Sequence, residues 1–160
     1  MWKVLVAVDG SERSLDAVRH VIDWARHGLR LQVVLAHVQE PATLYELVTV
    51  RDPERIAAAS LEAGEHLLAP ARALLEAAHI PCSTEVAVGD AATVLPDMAE
   101  ALEVQAVVLG AQGHGALEGV LVGSVSQAVA RASRVPVTLV KHPEPADEAL
   151  DEAAAEAADD

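Results

Sequence analysis

Five short apolar runs punctuate this chain, and each is followed by polar or glycine-containing residues and, for the first four, by apolar positions recurring at helical spacing. Residues 3–8, KVLVAV, form a continuous aliphatic run, the pattern of a strand covered on both faces. Asp9-Gly10-Ser11 then turn the chain. Ser11 fits an N-cap with Glu12 in the first turn, and Leu15, Val18, Ile22 and Ala25 line one face of a helix that Gly28 ends. A second buried strand, LQVVLAHV, is predicted over 31–38. A less regular segment after Pro41 leads to Asp52-Pro53 and an alanine-rich helix over about 54–78. Pro70 should kink or split that helix, because proline lacks the N–H donor and clashes with the preceding turn. Residues 83–88, STEVAV, read as the third strand, and Gly89-Asp90 opens a helix to about Leu102 with Pro96 awkwardly inside it. The fourth strand is Val104 to Leu109, a helix runs from Gly123-Ser124 to about Ser133, and the fifth strand is Val135 to Val140.

Strands alternating with helices imply right-handed crossovers, an open parallel sheet and helices on both of its faces. The 160 residues suffice for one domain with a real core. That core must be aliphatic, since the chain has no Phe and only Trp2, Trp24 and Tyr45 as aromatics. The domain is expected over 1–142, with 143–160 an acidic and disordered tail.

Charge narrows the partners. A formal charge of -14, from 11 Lys+Arg against 25 Asp+Glu, argues against nucleic acid and anionic membranes, which are held by clustered cations. A single cysteine, Cys82, fits a reducing compartment, and no apolar run is long enough to cross a bilayer, so a cytoplasmic protein is expected. Any phosphate ligand would then depend on local backbone geometry.

That geometry has a candidate. Between Val107 and Gln127 lie five of the chain's nine glycines, just beyond the fourth strand. In open parallel sheets ligands bind beyond the carboxyl ends of the strands, where the strand order reverses. Asp9-Gly10-Ser11 and the segment from Gly110 to Val122 would face one crevice if strands one and four are neighbours. Gly110 and Gly113 would shape the turn beside a nucleoside or phosphate. Gly123, Ser124, Val125 and Ser126 would offer backbone N–H groups, and the serines hydroxyls, to phosphate oxygens. No lysine precedes Ser124, which excludes a Walker A loop, and the following strand closes on Lys141-His142 rather than on an acid, which argues against a dinucleotide fingerprint.

These residues together resemble the universal stress protein family. Gly110-x2-Gly113-x9-Gly123-Ser124 is similar to the motif of its ATP-binding branch, and VLVAVDGSERS, AHV, VGDAA and VPVTLV add to the likeness, which runs from about Lys3 to Lys141. The resemblance implies a single-domain, Rossmann-like sheet of the adenine nucleotide alpha hydrolase-like kind, in strand order 3-2-1-4-5. It implies a homodimer paired through the fifth strand, Val135 to Val140. Ala7, Val8 and Asp9 would lie along the adenosine, with Asp9 near the ribose or a Mg2+ carried by the phosphates. Val38 would offer backbone hydrogen bonds to adenine, and Leu109, Gly110 and Gly113 would line ribose and phosphates. The chain departs from the family pattern at His114 and at GALEGVLV, where members that bind ATP commonly carry basic residues. Phosphate would be neutralised less completely here, which points to dependence on Mg2+, to pH sensitivity through His114, or to AMP and ADP as competing ligands.

The function expected is binding of ATP or another adenine nucleotide by a dimeric stress-response sensor or regulator with an unknown protein partner. The alternatives are a homodimer that binds no nucleotide and works through protein contacts, and a slow nucleotide hydrolase. No nucleophile with its base is evident, and no enzyme is expected beyond weak hydrolysis. Cys82 reads as a partly buried structural residue, His37 as a satisfied core histidine, and His20, His27, His66 and His79 as lacking a metal partner.

Overall fold

The structure is a computed structural model that describes residues 1–41, 52–112 and 122–142. In chain order the elements are β1 (Trp2–Ala7), α1 (Glu12–Arg26), β2 (Leu31–Gln39), α2 (Pro53–Ala77), β3 (Cys82–Val88), α3 (Ala91–Ala101), β4 (Ala106–Gly110), α4 (Ser124–Ala132) and β5 (Val137–Val140). All pairings are parallel, in the order β3-β2-β1-β4-β5. The expected acidic tail lies outside the described residues.

Side-chain alternation along the strands sorts the core into two layers. Val4, Val6, Val33 and Leu35 face one way and pack under α1 and α2 against Val18, Val21, Leu68 and Leu75. Leu5, Ala36, Val107 and Leu109 face the other way and meet Leu95, Ala99 and Val129 of α3 and α4. The central strands are therefore covered on both sides, which is why their sequences are unbroken aliphatic runs rather than alternating ones.

Helix starts and stops follow local chemistry. The Ser11 hydroxyl accepts the Ser14 N–H at 3.1 Å and caps α1, and the Asp52 carboxylate accepts the Glu54 N–H at 3.1 Å and caps α2. Three helices end in the same way, with a left-handed residue followed by an N–H that reaches back five residues. Gly28 (φ +99°) supplies it after α1, where Leu29 N–H donates to the Trp24 carbonyl at 3.1 Å. His79 (φ +57°) and Glu103 (φ +52°) supply it after α2 and α3. The Val104 N–H is thereby held by the Ala99 carbonyl at 3.1 Å. That contact delays β4 from the expected Val104 to Ala106.

Pro70 does not split α2, which runs as one helix over 25 residues. Its ring lies on the exposed face, so the His66 carbonyl deprived of its N–H partner is turned toward water rather than buried. Among the described residues no helix is long and apolar enough to cross a membrane.

Among the described residues, one carboxylate is buried between these layers. Asp16 of α1 accepts from Arg19 at 2.8 Å and from the Nδ1 of His142, just past β5, so the end of the last strand is fastened to the first helix. Arg19 also reaches Glu12 at 2.6 Å, and Glu12 first, then Asp16, raise the guanidinium pKa.

Gly64 is a tight point of α2 against the sheet. A Cβ there would stand 2.5 Å from Val86 Cγ1 and 3.2 Å from His37 Cδ2. On propensity alone Gly64→Ala should stabilise a helix interior by about 1 kcal/mol. Overpacking a filled site costs ~1–3 kcal/mol, so the steric term wins. We expect the urea midpoint of Gly64→Ala to fall with the m-value unchanged; a rise would show that the helix moves away freely.

Candidate functional site

The chain leaves the carboxyl ends of β1 and β4, neighbours in the sheet, through turns that diverge. They enclose a crevice of about 320 Å³, within the range of small-molecule sites. Ala7, Ala36, Val38, Leu95 and Leu109 give it an apolar floor, and Asp9, Glu40, Asp90 and Gln112 stand among its polar residues. A larger hollow, about 440 Å³, lies between α3 and the segment after α4, lined by Pro96, Asp97, Glu100 and Arg134. It sits at the amino end of β4, away from the specialised turns, and an exposed Arg134–Glu100 pair lies on its wall. The carboxyl-end crevice is therefore the candidate site.

On the β1 side, side-chain hydrogen bonds close the turn. Asp9 Oδ1 accepts the Ser11 N–H at 2.9 Å and the Ser11 hydroxyl, while Gly10 adopts φ +83°. The Ser14 hydroxyl donates to the Ser11 carbonyl at 2.7 Å and lies on the crevice wall. The Ser11 side chain thus caps α1 through the Ser14 N–H.

The β4 side is built differently. α4 begins at Gly123 without a side-chain cap. The Gly123 N–H donates to the Ala111 carbonyl at 2.7 Å, and the Ser126 hydroxyl donates to the Gly110 carbonyl at 2.8 Å. These two bonds pin the start of α4 onto the end of β4. They also change two expected roles, because the Gly123 amide and the Ser126 hydroxyl proton are engaged within the protein. Among the described residues, the donors left at the first turn are the amides of Ser124, Val125 and Ser126, on the positive end of the helix dipole.

Gly110 is required by a close approach. A Cβ there would stand 3.0 Å from the Arg13 carbonyl oxygen and 3.3 Å from that of Gln112. Gly123, at φ -69°, needs no glycine on conformational grounds.

Of the residues expected at a ligand, Ala7, Val8, Asp9, Val38, Leu109, Gly110, Gly123, Ser124, Val125 and Ser126 all line this one crevice. Gly113 and His114 lie outside the described residues. Sequence reasoning did not single out Ser14, Glu40, Asp90 or Gln112 for the site. Asp90 sits in the Gly89-Asp90 signal, which marked a helix start but not what that start faces.

His37 was expected as a core histidine, and it is buried, yet it also borders the crevice. Its Nδ1 lies 2.8 Å from the Val8 carbonyl oxygen and its Nε2 3.2 Å from Gln39 Oε1. The neighbouring backbone has a defined direction. Val8 N–H donates to the Ala36 carbonyl at 2.8 Å, which turns Ala36 toward β1, while the Val33 N–H and the Gln39 carbonyl bond Pro81 and Gly89 on the β3 side. Val38 shares the parity of Ala36, so its N–H and C=O also turn toward the β1 side, past the point where β1 ends.

Electrostatically the crevice is acidic. Its described lining includes Asp9, Glu40 and Asp90 and no lysine or arginine, and residues 113–121 contain neither. Among the described residues no cluster of His, Cys, Asp and Glu could hold a metal. Cys82 begins β3 at the opposite end of the sheet. Burial, then Glu76, pushes its thiol pKa up, with Arg72 opposing, which makes it a poor nucleophile.

Comparison with known proteins agrees with this arrangement. The sequence model of the universal stress protein family matches residues 1–141. A universal stress protein of Methanocaldococcus jannaschii is 28% identical over 141 residues, spanning 88% of this chain and 82% of that protein. The solved structure of the hypothetical protein MJ0577 is 26% identical with a TM-score of 0.75, covering 89% of this chain and 97% of that one. A universal stress protein solved in complex with cAMP is 26% identical with a TM-score of 0.61, covering 87% and 95%.

Two outcomes test the geometry. Gly110→Ala should lower the unfolding free energy by ~1–3 kcal/mol in urea titration, since both nearest atoms are backbone carbonyls that cannot swing aside. Alkylation of Cys82 by iodoacetamide at pH 8 should be slower than that of an unstructured cysteine peptide, with a pH midpoint displaced upward, because the raised pKa leaves less thiolate. Equal or faster reaction would show the thiol to be activated.

Proposed function

The chain belongs to the universal stress protein family, and on that premise we propose that its crevice binds an adenine nucleotide and that the protein serves as a dimeric stress-response sensor or regulator. One observation carries the ligand reading. The uncapped first turn of α4 presents its amides to the same crevice as an apolar floor and the outward-turned Val38 backbone. A flat apolar base on the floor, ribose near Asp9 and phosphate at Ser124 to Ser126 fit that layout. The relative solved with cAMP supports the ligand class.

The acidic lining refines this reading. Helix-end amides without a cationic side chain suit a ligand of low charge, such as cAMP or AMP. ATP adds negative charge beside Asp9, Glu40 and Asp90, each like pair costing roughly 1 kcal/mol at a few ångströms in a watery cleft. Among the described residues no cluster of three His, Cys, Asp or Glu could hold a metal, so we read Mg2+ as a cation brought by the phosphates, with Asp9 a candidate to share it. When bound, it neutralises phosphate charge.

The dimer reading rests on β5. This strand closes one edge of the sheet with Val137–Val140 only half-buried, and an exposed apolar edge calls for a partner strand. Signal transmission would then pass to a protein partner in the cytoplasm.

Calorimetry with cAMP, AMP and ATP, each with and without Mg2+, tests the nucleotide reading. We expect cAMP and AMP to bind without metal, and ATP affinity to rise about five-fold or more when Mg2+ is added. Absence of heat for every ligand would overturn nucleotide binding in favour of a regulator that works through protein contacts.

A further inference from the structure

We propose that His37 is a positioning residue for base selection: by capping the last rung of the β1–β2 ladder with its imidazole, it leaves the Val38 backbone to read the edge of adenine. The inference rests on the nucleotide reading of the crevice and adds to it a residue whose side chain points to the other layer of the fold.

The parallel ladder runs in register from Trp2↔Leu31 to Ala7↔Ala36. Its next rung has a fixed identity. Since Val8 N–H donates to the Ala36 carbonyl, the Val8 carbonyl is the acceptor that the Val38 N–H would meet if the ladder continued. The His37 ring stands at that carbonyl, with Nδ1 2.8 Å from the oxygen. A carbonyl only accepts, so Nδ1 carries the proton and donates it. The Val8 carbonyl is satisfied without Val38, and β1 can turn away through Asp9 and Gly10 without leaving a buried acceptor unpaired.

The ring is held where it must be to do this. It is 7% exposed, and its Cδ2 lies against the one position of α2 that lacks a side chain, Gly64; with the proton on Nδ1, its Nε2 is an acceptor that the Gln39 side chain, 3.2 Å away, meets with its NH2 when the amide is turned. Gly64 and His37 are thus two halves of one device. The glycine admits the imidazole under α2, and the imidazole closes the ladder.

The consequence lies on the opposite face. The Val38 N–H and C=O, turned toward the β1 side where β1 has ended, offer one donor and one acceptor on a rigid strand beside the apolar floor. Adenine presents an amino donor beside a ring-nitrogen acceptor, the complementary pair. Hypoxanthine and guanine present an oxygen acceptor beside a ring N–H, which opposes both groups. His37 therefore favours adenine over the 6-oxo purines without touching the base.

The test compares His37→Asn, whose Nδ2 can occupy the place of the imidazole Nδ1, with His37→Gln, whose amide is displaced outward by one carbon. Calorimetry with AMP, IMP and ribose 5-phosphate gives the base preference, and amide hydrogen exchange of Val38 in the unliganded protein gives the state of the rung. Wild type and His37→Asn should prefer AMP over IMP by about five-fold or more, and His37→Gln should lose that preference while binding ribose 5-phosphate unchanged. The Val38 amide should exchange more slowly in His37→Gln than in wild type, because the rung closes onto Val8. If wild type binds none of the three, the nucleotide reading fails, and the exchange result alone decides whether His37 governs the rung. A His37→Gln protein with wild-type base preference, or with wild-type exchange at Val38, overturns the proposal.

Discussion

β1 is hydrogen-bonded along both edges, to β2 as far as Ala7↔Ala36 and to β4 through Val6↔Val108. The helices that follow β1 and the helices that flank β4 lie on opposite faces of the sheet, so the chain departs from these adjacent strand ends in opposite directions. A gap at the carboxyl edge is the unavoidable result. Every feature of the candidate site is a way of finishing that gap: Asp9 and Ser11 close the turn on one side, Gly110 and Ser126 close it on the other, and His37 seals the ladder between them.

What the described lining of the crevice offers is backbone. Side-chain cations are absent from the described lining, and the groups aimed at the crevice are peptide amides at a helix end and at a strand edge. Such donors are fixed by secondary structure and lose little freedom on binding, in contrast to a long lysine or arginine side chain. The glycines serve the same end, since Gly110 lets the Arg13 carbonyl come within 3.0 Å of where a Cβ would be.

Much of the fold was legible because its central strands are buried on both faces, and KVLVAV and LQVVLAHV can be little else. The turn at Asp9-Gly10-Ser11 and the restart at Gly123-Ser124 were legible from residue chemistry. What escaped depends on distances that a sequence does not contain. Pro70 is harmless because its face of α2 meets solvent, and His79 and Glu103 take left-handed conformations that composition would assign to glycine. The tight seat of Gly64 on His37 and Val86 involves residues 22 or more positions apart. The engagement of the Gly123 amide by Ala111 needed the loop's two ends to be seen together.

The tie between Asp16 and His142 has a practical side. It anchors the chain at the carboxyl edge of the sheet, the edge that holds the crevice, whereas Met1 precedes β1 at the far edge, where Trp2 pairs with Arg30. Labels, tethers or fused domains joined ahead of Met1 therefore stand a full strand length from the crevice. An immobilised form attached through Met1 thus leaves the crevice edge of the sheet open.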